Sequence, residues 1–79
     1  MTEPATADQV MDATGLKCPM PVLRARRLLK KMQSGTLLEV HADDPASAKD
    51  FPAFCETTGD ALEETASQGE TLIFRIRKV

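Results

Sequence analysis

The residue most suited to chemical reaction in this sequence is Cys18, within residues 15–21 (GLKCPMP). Proline fits the first position of a helix, where its missing N–H has no partner in any case, so Pro19 predicts a helix with Cys18 as its N-cap. A helix N-terminus carries roughly half a positive charge, which favours a thiolate over a thiol. Lys17 and Arg24 add positive potential nearby. We therefore predict that the pKa of Cys18 is lowered and that this thiol is a nucleophile.

Other parts of a catalytic site are missing around this thiol. A hydrolytic or transferase cysteine uses a general base, usually a histidine that a third group orients. The single histidine, His41, is predicted to lie on a strand, and its position gives no reason to place it near Cys18. The sequence also lacks the ligands of a zinc site and a glycine-rich phosphate loop, so we predict no metal and no cofactor. An exposed thiol without a base or a metal is suited to accept a group and pass it on, as a carrier protein does. The alternative interpretation of Cys18 is a buried cysteine that packs as a small apolar residue.

A second cysteine, Cys55, lies in a predicted helix beside Phe51 and Phe54. We interpret it as a core residue, although it could also resolve a persulfide on Cys18 or form a redox bridge with it. Two cysteines are too few for the disulfide framework of a small secreted protein. The chain also shows no secretory signal and no apolar run of the ~20 residues that a membrane span needs, so we expect a cytoplasmic protein without membrane association.

The positions of apolar residues predict an α/β fold with element order βαβαββ. We predict strands at residues 9–13, 36–42, 60–66 and 71–77, and helices at residues 19–33 and 46–58. Gly35 and Gly59 would end the helices. Pro52 predicts either a kink in the second helix or a helix capped near Asp50. These elements form a two-layer sandwich, in which a four-stranded mixed sheet carries both helices on one face. The two crossover connections should be parallel and right-handed, and a turn at residues 67–70 should close a final hairpin.

The length of 79 residues predicts one small domain. We place it at residues 9–79, after a flexible tail at residues 1–8. Asp43 and Asp44 precede a proline, so we interpret them as turn and capping residues in preference to acid–base groups.

Charge is distributed unevenly, although the net charge is only −2. Residues 14–33 hold six basic residues and no acidic one, whereas residues 39–70 hold nine acidic residues and one lysine. Such a basic helix can dock an acidic partner, and the alternative is an ordinary solvated face. The residues that we propose for docking, four basic side chains and one apolar side chain, are Lys17, Met20, Arg24, Arg27 and Lys31.

Several motifs resemble the TusA (SirA-like) family of sulfur carriers. The main one is Asp12-x-x-Gly15-Leu16-x-Cys18-Pro19-x-Pro21-Val22-Leu23. Further matches are Gly35, Asp43-Asp44-Pro45, Asp50-x-Pro52-x-Phe54-Cys55, Gly59 and Ile76-Arg77-Lys78. The resemblance covers nearly all of the chain between residues 10 and 78. It implies a βαβαββ sandwich like that of the C-terminal domain of a translation initiation factor.

The resemblance also implies a function. Cys18 would accept sulfane sulfur as a persulfide from a cysteine desulfurase or a rhodanese, and would pass it to an acceptor protein in tRNA thiolation, cofactor synthesis or sulfur oxidation. This step is carrier-type trans-persulfidation without a cofactor. We expect a monomer, because a carrier must expose its loaded sulfur.

Two other functions stay open from the sequence alone. One is a nucleic-acid-binding or regulatory module that uses the basic helix. The three Phe residues, without Tyr or Trp, argue against base stacking, so we expect no direct nucleic-acid binding. The other is a thiol–disulfide redox protein. The absence of a Cys-x-x-Cys motif argues against it.

Overall fold

The structure, a computed structural model, describes residues 7–79. Its elements follow the predicted order βαβαββ. They are β1 (Gln9–Asp12), α1 (Met20–Lys31), β2 (Leu37–Ala42), α2 (Ser47–Thr58), β3 (Ala61–Gln68) and β4 (Thr71–Arg77).

The predicted N-terminal tail falls partly within the structure. Residues 1–6, which make up most of it, lie outside the described residues. Asp8, also assigned to that tail, is paired with the start of β2. Its backbone N–H donates to the Leu37 carbonyl at 2.9 Å, and its Oδ2 accepts the Leu37 N–H at 2.8 Å. Asp8 therefore contacts the sheet one residue before the predicted boundary of the domain.

The four strands form one mixed sheet in the order β1-β2-β4-β3. β1 runs parallel to β2, and β4 runs antiparallel to both β2 and β3. β3 therefore runs in the same direction as β2, as predicted for a crossover connection, but β4 lies between them. The last strand thus becomes a central strand, which agrees with the alternating apolar residues Leu72, Phe74 and Ile76 in its sequence.

The hairpin between β3 and β4 is tighter than its sequence suggests. Gln68 is paired with Thr71, so only Gly69 and Glu70 remain in the turn. Gly69 has a φ of 59°, in the left-handed region that two-residue hairpin turns require. The predicted four-residue turn was therefore too long, because polar residues such as Ser67 belong to an exposed edge strand.

The core lies between the sheet and the two helices, which share one face of it. Leu38, Val40 and Ala42 point inward from β2, as their alternation predicts, and they meet Ala25 and Leu29 of α1. From α2, the ring of Phe51 is fully buried and stacks on Phe74 of β4 with 4.7 Å between ring centroids. The opposite face of the sheet is mainly polar, although Leu37 is buried on it. Its central residue Arg75 forms ion pairs with Glu39 and Glu64.

The C-terminal end of α1 differs from the prediction, and that of α2 agrees with it. Helix α1 ends at Lys31 with Met32 as its C-cap, so Gly35 is not the cap. Gly35 lies instead in the following loop, where its N–H donates to the Lys78 carbonyl at 2.7 Å. At the end of α2, Gly59 is the C-cap, as predicted, and its N–H donates to the Cys55 carbonyl.

Helix α2 begins at Ser47 and continues through Pro52. Asp50 is therefore not its cap but a residue of its first turn. Pro52 has no N–H, so the Ala48 carbonyl loses its usual partner four residues on. Ala48 is exposed to water, which can take that place, and the helix tolerates the proline.

Candidate functional site

The loop between β1 and α1 carries Cys18, and the parallel pairing of β1 with β2 decides where it lies. The carboxyl ends of two parallel strands meet at the same edge of a sheet, so the loops that follow them are neighbours. Gly15 turns the chain as it leaves β1, with a φ of 83° that favours glycine. The Cys18 loop therefore lies against the segment between β2 and α2.

Two aspartates of that segment hold the Cys18 loop. Asp43 Oδ1 accepts the Gly15 N–H at 3.0 Å, and Asp44 Oδ2 accepts the Cys18 N–H at 2.7 Å. Asp44 also accepts the Ala46 N–H through Oδ1, and its carbonyl accepts the N–H of Ser47, the first residue of α2. The turn role predicted for these residues is present, but sequence reasoning missed their contacts with the Cys18 loop.

Cys18 is not the N-cap of α1, contrary to the prediction. The helix begins at Met20, and the first of its hydrogen bonds runs from the Leu23 N–H to the Pro19 carbonyl at 3.0 Å, which makes Pro19 the N-cap. The Met20 N–H donates to the Lys17 carbonyl at 2.8 Å and closes a turn before the helix. This turn shifts the start of the helix by one residue and takes up a donor that could otherwise meet an anion at the thiol.

The thiol of Cys18 is exposed and has a carboxylate as its partner. Its sulfur donates a hydrogen bond to Asp50 Oδ2 at 2.8 Å, from the first turn of α2. This bond raises the pKa of Cys18, with smaller contributions from desolvation and from the charges of Asp50 and Asp44. The prediction of a lowered pKa was therefore wrong. It considered the positive helix end and Lys17, and it could not place Asp50 at the sulfur or Asp44 at the backbone of Cys18, since both lie in a distant segment.

Cys18 lies at an open groove between the two helices. The volume of this groove is about 320 Å³. It is mainly apolar, and its lining residues are Cys18, Pro19, Val22, Asp50, Ala53, Phe54 and Thr57. The lining offers one nucleophile and one carboxylate but no histidine. A partner side chain or a short loop could reach the sulfur through this groove.

The residues proposed for docking fall into two groups. Lys17 and Met20 are exposed and lie on either side of Cys18-Pro19 in the chain, and Met20 keeps 43% of its surface accessible. Arg24, Arg27 and Lys31 lie together on the flank of α1 that faces β1, where they line a separate groove with Met11 and Leu28.

The two remaining basic residues of α1, Arg26 and Lys30, lie on its other flank. They line a groove that also includes Phe54, a residue shared with the groove at the thiol. The basic residues of α1 thus form two separate surfaces, although the sequence pattern had predicted a single face.

Cys55 is a core residue, as we interpreted it. Its exposed fraction is 4%, and it belongs to the same buried cluster as Phe51 and Phe74. Burial, with a smaller contribution from the charge of Asp60, raises the pKa of Cys55 to about 11. Both cysteines are free thiols.

His41 lies on the polar face of the sheet, away from the helices. Its Nε2 is 2.6 Å from Glu39 Oε2, and this contact is the main reason that the pKa of Glu39 is lowered. Between residues 7 and 79, no group of three His, Cys, Asp or Glu side chains could hold a metal ion. None of the helices within these residues has the length and hydropathy of a membrane span.

Comparisons with known proteins agree with this geometry. The family model described as sulfurtransferase TusA matches residues 9–78. The chain is 49% identical over 74 residues to the sulfur carrier protein TusA of Allochromatium vinosum. This alignment covers 94% of this chain and 97% of that protein. It is 40% identical over 73 residues to TusA of a Pseudomonas putida strain, with 92% and 91% covered.

A solved structure is also similar. The SirA-like protein of Desulfitobacterium hafniense superposes with a TM-score of 0.77 at 25% sequence identity, and the match covers 87% of this chain and 95% of that one. The matches in sequence and in structure confirm the resemblance that the Cys-Pro-x-Pro segment indicated. The chain belongs to the TusA family of sulfurtransferases.

Proposed function

We propose that this protein is a sulfur carrier that accepts sulfane sulfur as a persulfide on Cys18 and passes it to a partner protein. The observation that carries the proposal is the exposed Cys18 thiol at an open groove, in a chain that belongs to a sulfurtransferase family. The other thiol, on Cys55, is buried in the core and cannot meet a second protein without local unfolding.

The arrangement suits a relay better than catalysis on a small substrate. The groove supplies a sulfur atom and a carboxylate, while the histidine of the chain lies on the other face of the sheet. A shallow open groove also gives little means to enclose a small molecule. The partner therefore brings the persulfide, orients it and supplies any further acid–base group.

The partners in this proposal are proteins. The donor is a cysteine desulfurase or a rhodanese, and the acceptor is a protein of tRNA thiolation, cofactor synthesis or sulfur oxidation. Docking uses the exposed residues Lys17 and Met20, on either side of Cys18-Pro19 in the chain, and the basic flank formed by Arg24, Arg27 and Lys31. The carrier works as a monomer without a cofactor. It works in the cytoplasm, where a reducing environment keeps its thiols available.

A loading experiment tests the proposal. The reduced protein is incubated with a cysteine desulfurase and cysteine, and its intact mass is measured. A gain of about 32 Da, the mass of one sulfur atom, is expected on the peptide that contains Cys18. Cys18→Ser should fold normally, because the side chain of Cys18 is exposed. It should gain no sulfur, because the thiol that would accept it is absent.

Cys55→Ser is the matched control. It should still load sulfur but should unfold more easily, by about 1–3 kcal/mol, because a hydroxyl replaces a thiol in the core. Equal loading of Cys18→Ser and the wild type, or loss of loading in folded Cys55→Ser, would show that the wrong thiol has been assigned.

A further inference from the structure

The Asp50 carboxylate contacts the sulfur atom that the proposed function uses. Oδ2 of Asp50 lies 2.8 Å from Sγ of Cys18. An ionised carboxylate can only accept hydrogen bonds, so the thiol is the donor. The bond therefore exists only while the sulfur of Cys18 carries its proton.

Few other charged groups surround this sulfur. From the segment before α2, Asp44 accepts the backbone N–H of Cys18, and Lys17 precedes it in the chain. The first turn of α1, residues 20–23, carries no charged side chain, and Asp50 is the only charged residue among those that line the groove. The Asp50 carboxylate thus contacts the sulfur, while the Asp44 carboxylate binds the backbone of the same residue, and the charges of both raise the pKa of the thiol.

We propose that Asp50 drives the release of sulfur, because it stabilises the empty thiol and destabilises the loaded persulfide. This inference rests on the function proposed above. In the empty protein, the S–H group donates to the carboxylate. A persulfide is a stronger acid than a thiol, so the loaded protein places a sulfur anion next to a negative charge and loses the hydrogen bond.

The atoms and charges of the loading step show where Asp50 acts. A donor persulfide anion, R–S–S⁻, transfers its terminal sulfur to Cys18. The S–S bond of the donor breaks, a new S–S bond forms at Sγ of Cys18, and the thiol proton ends on the donor as R–SH. Sulfur moves at an unchanged oxidation level, so no oxidant or reductant is needed. The negative charge moves from the donor to a position beside Asp50, which opposes loading and favours the reverse transfer to an acceptor.

A general-base role for Asp50 explains the geometry less well. A carboxylate is in general a much weaker base than a thiolate, and the raised pKa of Cys18 strengthens the hold of the sulfur on its proton. The proton therefore stays on the sulfur at neutral pH. The carboxylate acts on the relative stability of the empty and loaded states.

Asp50→Asn tests this inference, because it keeps the shape of the side chain and removes its charge. The protein is equilibrated with fixed concentrations of glutathione persulfide and glutathione, and the ratio of loaded to empty Cys18 is measured by mass spectrometry. Asp50→Asn should raise this ratio by about tenfold, the change that corresponds to one pKa unit of electrostatic interaction. The midpoint of Cys18 alkylation by iodoacetamide should also move to lower pH.

Three further variants control the comparison. Asp50→Glu restores the charge and should return the ratio towards the wild-type value. Glu56→Gln removes one charge from an exposed position of α2 that does not line the groove, and should leave the ratio unchanged. Asp50→Ser provides a second uncharged variant, should Asp50→Asn not fold.

The outcomes separate this inference from the function beneath it. If folded Asp50→Asn loads to the wild-type ratio, or if Glu56→Gln raises the ratio equally, Asp50 does not drive release although the protein remains a carrier. A lowered alkylation midpoint with an unchanged loading ratio would also overturn the role of Asp50. If wild-type Cys18 alkylates but gains no sulfur from any persulfide donor, the proposed function itself fails, and the role of Asp50 fails with it.

Discussion

The backbone N–H of Cys18 donates a hydrogen bond to Asp44 Oδ2 at 2.7 Å and thereby joins the loop of the thiol to the segment that begins α2. A few residues later, α2 presents Asp50 to the sulfur. The position of the thiol and the position of its carboxylate partner thus depend on the same short segment. Changes at Asp44 should therefore affect the thiol even though Asp44 does not contact its sulfur atom.

Asp44→Asn should destabilise the protein at neutral pH, because an amide offers fewer acceptor sites than the carboxylate that binds the N–H groups of Cys18 and Ala46. These hydrogen bonds lower the pKa of Asp44 in the folded state, and the bond from Cys18 makes the largest contribution. Between the folded and unfolded pKa values, the unfolded chain binds more protons, so the stabilisation falls as the pH falls. Unfolding midpoints in urea, measured from pH 7 to pH 3, should show wild type and variant converging below about pH 4.

Glu70→Gln is the control for this experiment, because it removes an exposed acid from the β3–β4 turn, away from the Cys18 loop. It should behave like the wild type across the same pH range. A stability difference between wild type and Asp44→Asn that stays constant down to pH 3 would mean that the carboxylate is not the group responsible.

The spacing of apolar residues was enough to predict the fold class and the order of helices and strands along the chain. Leu38, Val40 and Phe74 lie in the core where their spacing placed them. The insertion of β4 between β2 and β3 was not predicted, because periodicity identifies strands but not their neighbours. The predicted N-cap was wrong for a similar reason: the turn closed by Met20 and Lys17 leaves no signature in the order of the residues.

Sequence analysis selected the cysteine that the structure places, exposed, at the candidate site, but not the electrostatics around it. Cys18 was identified from its position before Pro19, and Cys55 from its apolar neighbours. Asp50 is 32 positions from Cys18, and its contact with the sulfur depends on how α2 packs beside the loop. Sequence analysis connected Asp50 with a possible cap of the second helix and with the matching family motif, and neither gave it a role at the thiol.

The two cysteines should differ strongly in their alkylation by iodoacetamide. Cys18 is exposed, whereas Cys55 is 4% exposed and has a pKa of about 11. At pH 8, mass spectrometry of peptides should therefore find Cys18 modified at least about a hundredfold faster, since both access and thiolate fraction favour it. In concentrated urea the two rates should become similar. Comparable rates in the folded protein would contradict the burial of Cys55.

Burial of Cys55 should also make stability decrease at high pH. The pKa of Cys55 is raised to about 11 in the folded protein. Between the ordinary thiol pKa of about 8.5 and this value, the unfolded chain releases the proton first, so stability is fully present below about pH 8.5 and declines as the pH rises towards 11. The comparison uses Cys18→Ser and the double variant that adds Cys55→Ala. Over this pH range the free energy of unfolding, measured in urea, should fall by roughly 2–3 kcal/mol less in the double variant than in Cys18→Ser. Parallel curves for the two proteins would exclude a contribution from Cys55.

The basic flank of α1 should accelerate the encounter with the sulfur donor. Reversing Arg24 and Arg27 to Glu places negative charges on the flank proposed for docking, where charges mainly change the rate of association. Transfer from a cysteine desulfurase at low salt should slow by about tenfold or more. The difference in transfer rate between the variant and the wild type should become smaller as added salt shortens the screening length to roughly 8–10 Å and below.

A matched variant, in which Arg26 and Lys30 are reversed to Glu, changes the net charge equally on the opposite flank of α1. Equal slowing of both variants would indicate a general effect of net charge, because a specific interface depends on where the charges lie. Slowing confined to the Arg26 and Lys30 variant would move the docking surface to the flank whose groove shares Phe54 with the thiol groove. Wild-type rates for both variants at low salt would show that both flanks of α1 are ordinary solvated surfaces. Lys17 and Met20, on either side of Cys18-Pro19 in the chain, would then be the remaining candidates for the interface.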